Sequence, residues 1–387
     1  MKKKVVLLVL SPFDDLETFE HRPMQEARYF YDKGYQVEIY TLQRKVLGKG
    51  IEERIVDGIL VKHFLCKTKK MDINLHEKKV FKILKPMIYM SWVIKFILFL
   101  RKEWKKDKNN YLIAHNLEMA AIALFAKRGK KNKLIFVMRE LYEGQTKNSI
   151  KSMIIHHISQ IVQNKSDFLV HVVPEQKNHT TKKNRKKIIY IPNYPESTNY
   201  DNINFVKSDK LRINYIGSVR DKKSLKMLMD AAREIPGIEV GIHGMGDAYS
   251  QLKEIEKNYD NVTITGYYDY QKDTRSLFAG TDIIYCAYDI EVPNWRIAYP
   301  IKLYEAIEAG IPVMLCRGMA PVQLIEEKNC GFVFPYNKSS LHELLVYLDN
   351  NREEVKEKKE SMKKLRGKYT WASVVQRYDR IFDVKEN

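Results

Sequence analysis

Asn294-Trp295-Arg296-Ile297-Ala298-Tyr299-Pro300-Ile301-Lys302-Leu303-Tyr304-Glu305-Ala306-Ile307-Glu308-Ala309-Gly310-Ile311-Pro312-Val313 reads as a loop, a short helix and the start of a buried strand. Pro300 suits the first turn of a helix, where its missing N–H costs nothing, and Gly310 followed by Pro312 stops it. Helical spacing over 300–309 gathers Leu303, Ala306, Ile307 and Gly310 on one apolar face, with Lys302, Glu305 and Ala309 on another. A lysine thus stands beside the anion-attracting N–H groups of a first turn, with a glutamate one turn below. Two readings are open for this pair. It can clamp a phosphate and a sugar hydroxyl, or it can be an ordinary solvated i,i+3 pair on a helix surface.

The same loop–helix–strand beat runs on both sides of this stretch. Strands are expected at 213–216, 238–243, 262–265, 282–285, 312–315 and 331–333, alternating with helices. Six β-α repeats predict a doubly wound parallel sheet. Upstream, the apolar run 4–10 reads as a first strand rather than a signal peptide, because Ser11-Pro12-Phe13-Asp14-Asp15 follows without a small-residue cleavage site. A helix from Pro23 closed by Gly34, a strand at 37–41, and one or two strands around Asp57-Gly58 complete an N-terminal β-α-β pattern. The polar stretch after Pro195 reads as a linker. The domain reading is therefore 1–195 as one Rossmann-like domain, 196–210 as linker, 211–368 as a second Rossmann-like domain, and 369–387 as a C-terminal helix. Two such domains imply a cleft between facing strand ends, the default ligand site.

Bulk composition narrows the class. The 387 residues are 44% hydrophobic and 11% aromatic, which excludes wholesale disorder. Lys+Arg of 67 against Asp+Glu of 48 gives +19, a surface suited to nucleic acid, an anionic bilayer or phosphorylated ligands. Nucleic acid is disfavoured, since the lysines are scattered and neither aromatic stacking motifs nor a helix-turn-helix signature accompanies them. Cys66, Cys286, Cys316 and Cys330 show no C-x-x-C spacing, and three lie in or beside apolar runs, so reduced thiols in a cytoplasmic protein are expected. Segment 79–106 interleaves a long apolar run with Lys82, Lys85 and Lys95. Lys95 and Pro86 cut it short of a bilayer span, which needs about 20 apolar residues. It reads as a basic, amphipathic helix pair on an anionic membrane surface, or as a helix packed on its own domain with lysine stems over apolar surface.

Three strand ends in the second half carry suitable chemistry. Gly217-Ser218-Val219-Arg220-Asp221-Lys222-Lys223 places an arginine fork and a lysine before a helix, a combination that suits a diphosphate. His243-Gly244-Met245-Gly246 has glycines that permit close backbone approach to a base or phosphate. The opening stretch is the third. None is a Walker A loop or G-x-G-x-x-G. Together they point to a nucleotide. Asp289-Ile290-Glu291 mimics a metal-binding pair but lacks supporting ligands, so no metal and no resident cofactor is expected.

These residues carry a family resemblance. Ile191-Pro192-Asn193, Tyr215-Ile216-Gly217-Ser218 with Arg220 and Lys223, Gly244-Met245-Gly246, and Pro300-x-Lys302-Leu303-Tyr304-Glu305-Ala306 closing with Gly310-Ile311-Pro312-Val313 resemble the donor domain of GT-B glycosyltransferases. The likeness is to the large retaining family that uses nucleotide sugars, of the bacterial surface and capsular polysaccharide type. Arg22, Ala114-His115-Asn116 and Arg139-Glu140-Leu141-Tyr142 resemble its acceptor domain more loosely, and Trp371 resembles the closing helix that crosses back to the first domain. The resemblance implies an α/β GT-B fold with two Rossmann-like doubly wound domains facing across a cleft. It also implies transfer from a nucleotide-diphosphate sugar, UDP-linked by preference, to a lipid-linked or saccharide acceptor.

By position it implies a donor site of Gly217, Ser218, Arg220, Lys223, His243, Gly244, Met245, Asn294, Pro300, Lys302, Leu303 and Glu305. Arg220, Lys302 and His115 would act at the reacting centre, and Glu305 would accept from ribose hydroxyls. Many relatives place a sugar-holding glutamate eight residues before the Glu305 position, where this chain has Ile297. Asn294 and Lys302 are the substitutes. The relatives' glycine-rich first loop is replaced by Phe13-Asp14-Asp15-Leu16-Glu17, so Asp15, Glu17 and Glu140 are the acceptor-side candidates. An epimerase or hydrolase of sugar nucleotides on the same fold is the alternative. The expected location is cytoplasmic, against the inner face of the cell membrane.

Overall fold

The computed structural model describes residues 4–10, 22–48, 50–67, 79–104, 110–127, 132–142 and 149–382. The loop carrying Asp14, Asp15 and Glu17 lies outside the described residues. The chain divides into two compact units, residues 1–191 with 377–387, and residues 192–376.

The first unit contains β1 (Lys4–Val9), α1 (Arg22–Asp32), β2 (Gln36–Leu47), β3 (Gly50–Val56), β4 (Ile59–Lys67), α2 (Lys79–Glu103), β5 (Asn110–His115), α3 (Asn116–Ala126), β6 (Lys133–Met138), α4 (Ser149–Lys165), β7 (Phe168–His171) and β8 (Ile188–Tyr190). Its sheet runs β3-β4-β2-β1-β5-β6-β7-β8 and is parallel except for the β3–β4 hairpin. That hairpin turns at Asp57 and Gly58, both with positive φ, as a two-residue turn of the favoured twist requires. The β1-to-β2 step and the β4-to-β5-to-β6-to-β7 steps go in opposite directions along the sheet. Right-handed crossovers therefore put α1 on one face and α2, α3 and α4 on the other. Packing agrees: Phe96 and Leu100 of α2, Ala120 and Ala123 of α3, and Val162 of α4 share a core with Val6, Leu112 and Phe136. On the α1 face, Phe30 packs on Tyr35, Tyr378 and Phe382.

α2 is one helix running through Pro86, not the expected pair. A proline inside a helix removes one backbone bond and kinks the rod without having to end it. The inner face of α2 is packed in the core, so the packed-helix reading holds for that side. Among the described residues no helix is long and apolar enough to cross a membrane.

The second unit contains β9 (Leu211–Ile216), α5 (Lys222–Ala232), β10 (Ile238–His243), α6 (Tyr249–Ile255), β11 (Val262–Gly266), α7 (Tyr270–Ala279), β12 (Ile283–Tyr285), α8 (Pro293–Arg296), α9 (Ile301–Ala309), β13 (Val313–Cys316), α10 (Val322–Lys328), β14 (Gly331–Phe334), α11 (Lys338–Asn350) and α12 (Arg352–Lys363). The six strands expected from sequence form one parallel sheet in the order β11-β10-β9-β12-β13-β14. The chain winds outward in both directions from β9 and β12, so the switch point, where such sheets take ligands, falls between those two strands. Residues 192–210 belong to this unit. Tyr200 is buried in its core, which makes the expected linker part of the body. The expected C-terminal helix is broken into Trp371–Val374, a 3-10 turn and Asp379–Phe382, with Trp371 and Val374 buried in the second unit and Tyr378 and Ile381 in the first. All four cysteines are buried thiols outside any disulfide.

Candidate functional site

The site is built on α9 at the switch point. Pro300 is its N-cap rather than its first helical residue, and no side chain caps the first turn. Gly310 ends it in the left-handed conformation at φ 75°, as a C-terminal glycine should. Every residue from Lys302 to Ala309 is buried. Lys302 and Glu305 are each only 4% exposed, which rules out the solvated surface pair. Even Glu308 is internal, its carboxylate accepting the Gly367 N–H at 2.9 Å.

The Lys302 ammonium lies 3.1 Å from the centroid of the Tyr215 ring and 5.8 Å from that of Tyr288, and its Nζ has no hydrogen-bond partner among the described residues. Such cation–π contacts recover about 2 kcal/mol when desolvated, less than the several kcal/mol that burying an ammonium costs. Three N–H donors are left without an acceptor, beside the uncapped N–H groups of a helix start. Gly217, at φ 131°, keeps this space open, since a Cβ there would sit 3.4 Å from Nζ. The arrangement is a cradle for an anion.

Glu305, one turn below, accepts from the Tyr270 hydroxyl at 2.8 Å, and Tyr270 in turn meets Tyr200 at 3.0 Å. Burial pushes its carboxyl above the ordinary value, opposed by the two tyrosines and by Lys302. Sequence reading missed Tyr200, Tyr270 and Tyr288. Their only local signal is aromatic residues close to strand and helix ends.

The glycine motifs have a packing reason of their own. Gly244, at φ 138°, packs on the neighbouring loop: a Cβ would fall 1.9 Å from the Gly217 carbonyl oxygen, and one on Gly246 would fall 2.3 Å from that of Val219. Backbone bonds Gly217 N–H to His243 O at 2.9 Å and Val219 N–H to Met245 O at 2.9 Å lock the two loops. These glycines permit a close approach of loop on loop. A Gly244→Ala variant is expected to lose about 3 kcal/mol from strain and overlap. Urea unfolding checks this, and an unchanged midpoint would contradict the packing role.

The remaining expected residues are dispersed. Arg220 stands exposed after β9 with no ion pair among the described residues, and Ser218 is exposed beside it, its carbonyl accepting from Tyr215 Oη at 2.6 Å. Lys223 is held elsewhere, by Asp289 at 2.9 Å and Glu291 at 3.1 Å over the Tyr336 ring, which also accounts for the acidic pair that mimicked a metal site. Among the described residues no group of three or more His, Cys, Asp or Glu is placed to hold a metal ion. His243 bonds Thr265 Oγ1 at 3.0 Å through Nδ1, and burial lowers its pKa to about 4. Met245 is half exposed, Asn294 lies in the short α8, and Leu303 is core. An open cleft lined by Phe205, Lys207, Arg212, Asp282 and Lys359 lies at the amino ends of β9 and β12, away from the cradle. Arg212 and Lys359 both pair with Asp282 there and Lys207 is exposed, so among the described residues the cleft lacks the cradle's buried, unpartnered cation.

In the first unit, His115 ends β5. It is fully buried, with Nε2 2.8 Å from Glu26 Oε2. Glu26 also accepts from Arg22 Nε at 2.6 Å and Tyr378 Oη at 2.5 Å, while Arg22 donates to the Ile191 carbonyl at 2.7 Å. Burial pushes His115 below its ordinary pKa against the pull of Glu26. Burial would raise Glu26, but His115 and Arg22 outweigh it and hold the carboxyl at about 2. His115 thus packs beside an Arg22–Glu26–Tyr378 network that ties α1 to the chain's end, and its Nδ1 has no hydrogen-bond partner among the described residues. Glu140 is exposed on the turn after β6.

Residues 210–351 match the family model described as "Glycosyl transferases group 1". No curated protein matches the chain. Among solved structures, sucrose-phosphate synthase from Thermosynechococcus elongatus superposes with a TM-score of 0.69 at 12% identity over 98% of each chain. HepE from Anabaena, in complex with UDP, gives 0.68 at 11% over 98% of this chain and 99% of its own. WaaG, a glycosyltransferase involved in lipopolysaccharide biosynthesis, gives 0.63 at 17% over 98% and 100%. The expected α/β fold of two Rossmann-like units in the GT-B manner is borne out, and the match over 210–351 bears out the expected enzyme class.

Proposed function

We propose that the chain is a glycosyltransferase that moves a sugar from a nucleotide-diphosphate sugar to a lipid-linked or saccharide acceptor, with retention. The observation that carries this is the Lys302 ammonium, buried and without a hydrogen-bonding acceptor at the start of α9. A donor diphosphate supplies the missing acceptors. As the glycosidic bond breaks, charge grows on the leaving phosphate, and Lys302, the α9 N–H groups and the exposed Arg220 stabilise it. Glu305, steadied by Tyr270, accepts from the ribose. Lys223 is left out of this set, being held by Asp289 and Glu291. Uridine is the favoured base, and the UDP and UDP-glucose complexes of HepE support that choice. WaaG's part in lipopolysaccharide biosynthesis supports a lipid-linked acceptor and a place on the inner membrane face.

A thermal-shift panel of UDP, GDP, ADP and CMP sugars tests the donor. One of them at 100 times its Kd should stabilise the protein by about 2.7 kcal/mol. If none shifts the melt, the donor reading fails. Product analysis with the winning donor separates transfer from the alternatives: free sugar or an epimerised nucleotide in the absence of acceptor would replace the transferase.

A further inference from the structure

The amphipathicity of α4 is inverted. Its packed side carries Ser159 and Gln163 together with Val162, all buried. The opposite side presents Ile150, Met153, Ile154, Ile158 and Ile161 to solvent, each between 40% and 66% exposed. α2 repeats the pattern one helix away. Phe96 and Leu100 face the core, and Met87, Met90, Ile94 and Leu98 face outward at 51% to 66%. Between them α3 exposes Phe125 at its end, where Arg101 of α2 donates to the Phe125 carbonyl at 2.8 Å. All three helices lie on one face of the first sheet, so these side chains point the same way. A soluble surface does not normally carry a patch of this kind without a partner.

Charge selects the partner. By sequence α2 holds six Lys or Arg and α4 two, against two acids, Glu118 of α3 and Glu103, which pairs with Lys62 at 2.7 Å. A second copy docked on this face would set like charges against each other. An anionic lipid surface accepts both features at once, the aliphatics among the acyl chains and the lysines at the headgroups. We propose that α2, α3 and α4 together form a docking face for an anionic bilayer, with α4 supplying half of the contact. This deepens the lipid-linked acceptor reading, but it concerns the first unit alone. Vesicle binding without nucleotide and donor binding without vesicles can therefore fail separately.

The test is flotation of the full chain with vesicles of phosphatidylcholine alone and of phosphatidylcholine with phosphatidylglycerol. Wild type should float with the anionic vesicles, weakly with the neutral ones, and less as salt is raised. Ile154→Glu/Ile158→Glu in α4 and Ile94→Glu/Leu98→Glu in α2 should each lower the bound fraction roughly tenfold. The exposed side chains predict unchanged melting temperatures for both variants. The proposal is overturned if wild type ignores anionic vesicles, if salt has no effect, or if the α4 variant floats like wild type. It is equally overturned if the α4 variant loses its fold, which would show that face to be packed. A wild-type dimer that the α4 variant turns into a monomer would assign the face to a second copy instead.

Discussion

Lys302→Met is expected to lower turnover roughly 10²–10³-fold, the usual cost of losing one preorganised charge at a developing anion, while raising stability. The two effects come from one fact. The ammonium is buried over Tyr215 with no hydrogen-bond acceptor, so the folded apo protein carries a desolvation cost that a thioether of similar length does not. Net of the cation–π contact, the gain should be on the order of 2 kcal/mol in chemical denaturation. A residue kept at the expense of stability is what an active site looks like from the thermodynamic side. Lower activity together with lower stability would mean instead that Lys302 is a structural cation whose partner is already in place.

The second large effect belongs to the first unit. Glu26→Ala should cost about 4 kcal/mol, because it strands the buried Arg22 guanidinium without its carboxylate, takes the acceptor from Tyr378 and removes the charge beside His115. The same network makes a signed pH prediction. Glu26 has a folded pKa of about 2 against an ordinary 4.5. Its contribution is therefore complete above about pH 4.5 and is lost as pH falls toward 2, amounting to about 3 kcal/mol. Denaturation midpoints of wild type and Glu26→Gln across that window should converge as the pH drops. Parallel curves would show that Glu26 is not the group that titrates.

Much of the fold was legible because it is written in local chemistry. The alternation of strand and helix in the second half, the Asp57-Gly58 hairpin and the Gly310 stop depend on residues within a few positions of each other. The site was legible only in part. Periodicity put Lys302 and Glu305 on one helix face but could not say that this face is buried, since that depends on Tyr215, Tyr270 and Tyr200 arriving from distant strands and loops. Lys223 looked like a phosphate ligand because its carboxylate partners, Asp289 and Glu291, lie more than sixty residues away. His115 was legible as a ring at the end of a strand, but not the buried Glu26 beside it, which stands on a helix with no motif to mark it. The outward isoleucines of α4 were hidden for a related reason: an apolar stripe in a sequence is assumed to face the core, and here only Ile155 and Val162 do, beside Ser159 and Gln163.

The donor claim rests on a phosphate at Lys302, and a binding cycle tests that contact most directly. Titration calorimetry would compare the nucleoside diphosphate favoured by the panel with its unphosphorylated nucleoside, on wild type and on Lys302→Met. Wild type should prefer the diphosphate by roughly 100-fold and most of this preference should vanish in the variant, while affinity for the bare nucleoside stays within about twofold. A preference for the diphosphate that survives the substitution intact would place the phosphates elsewhere and contradict the site.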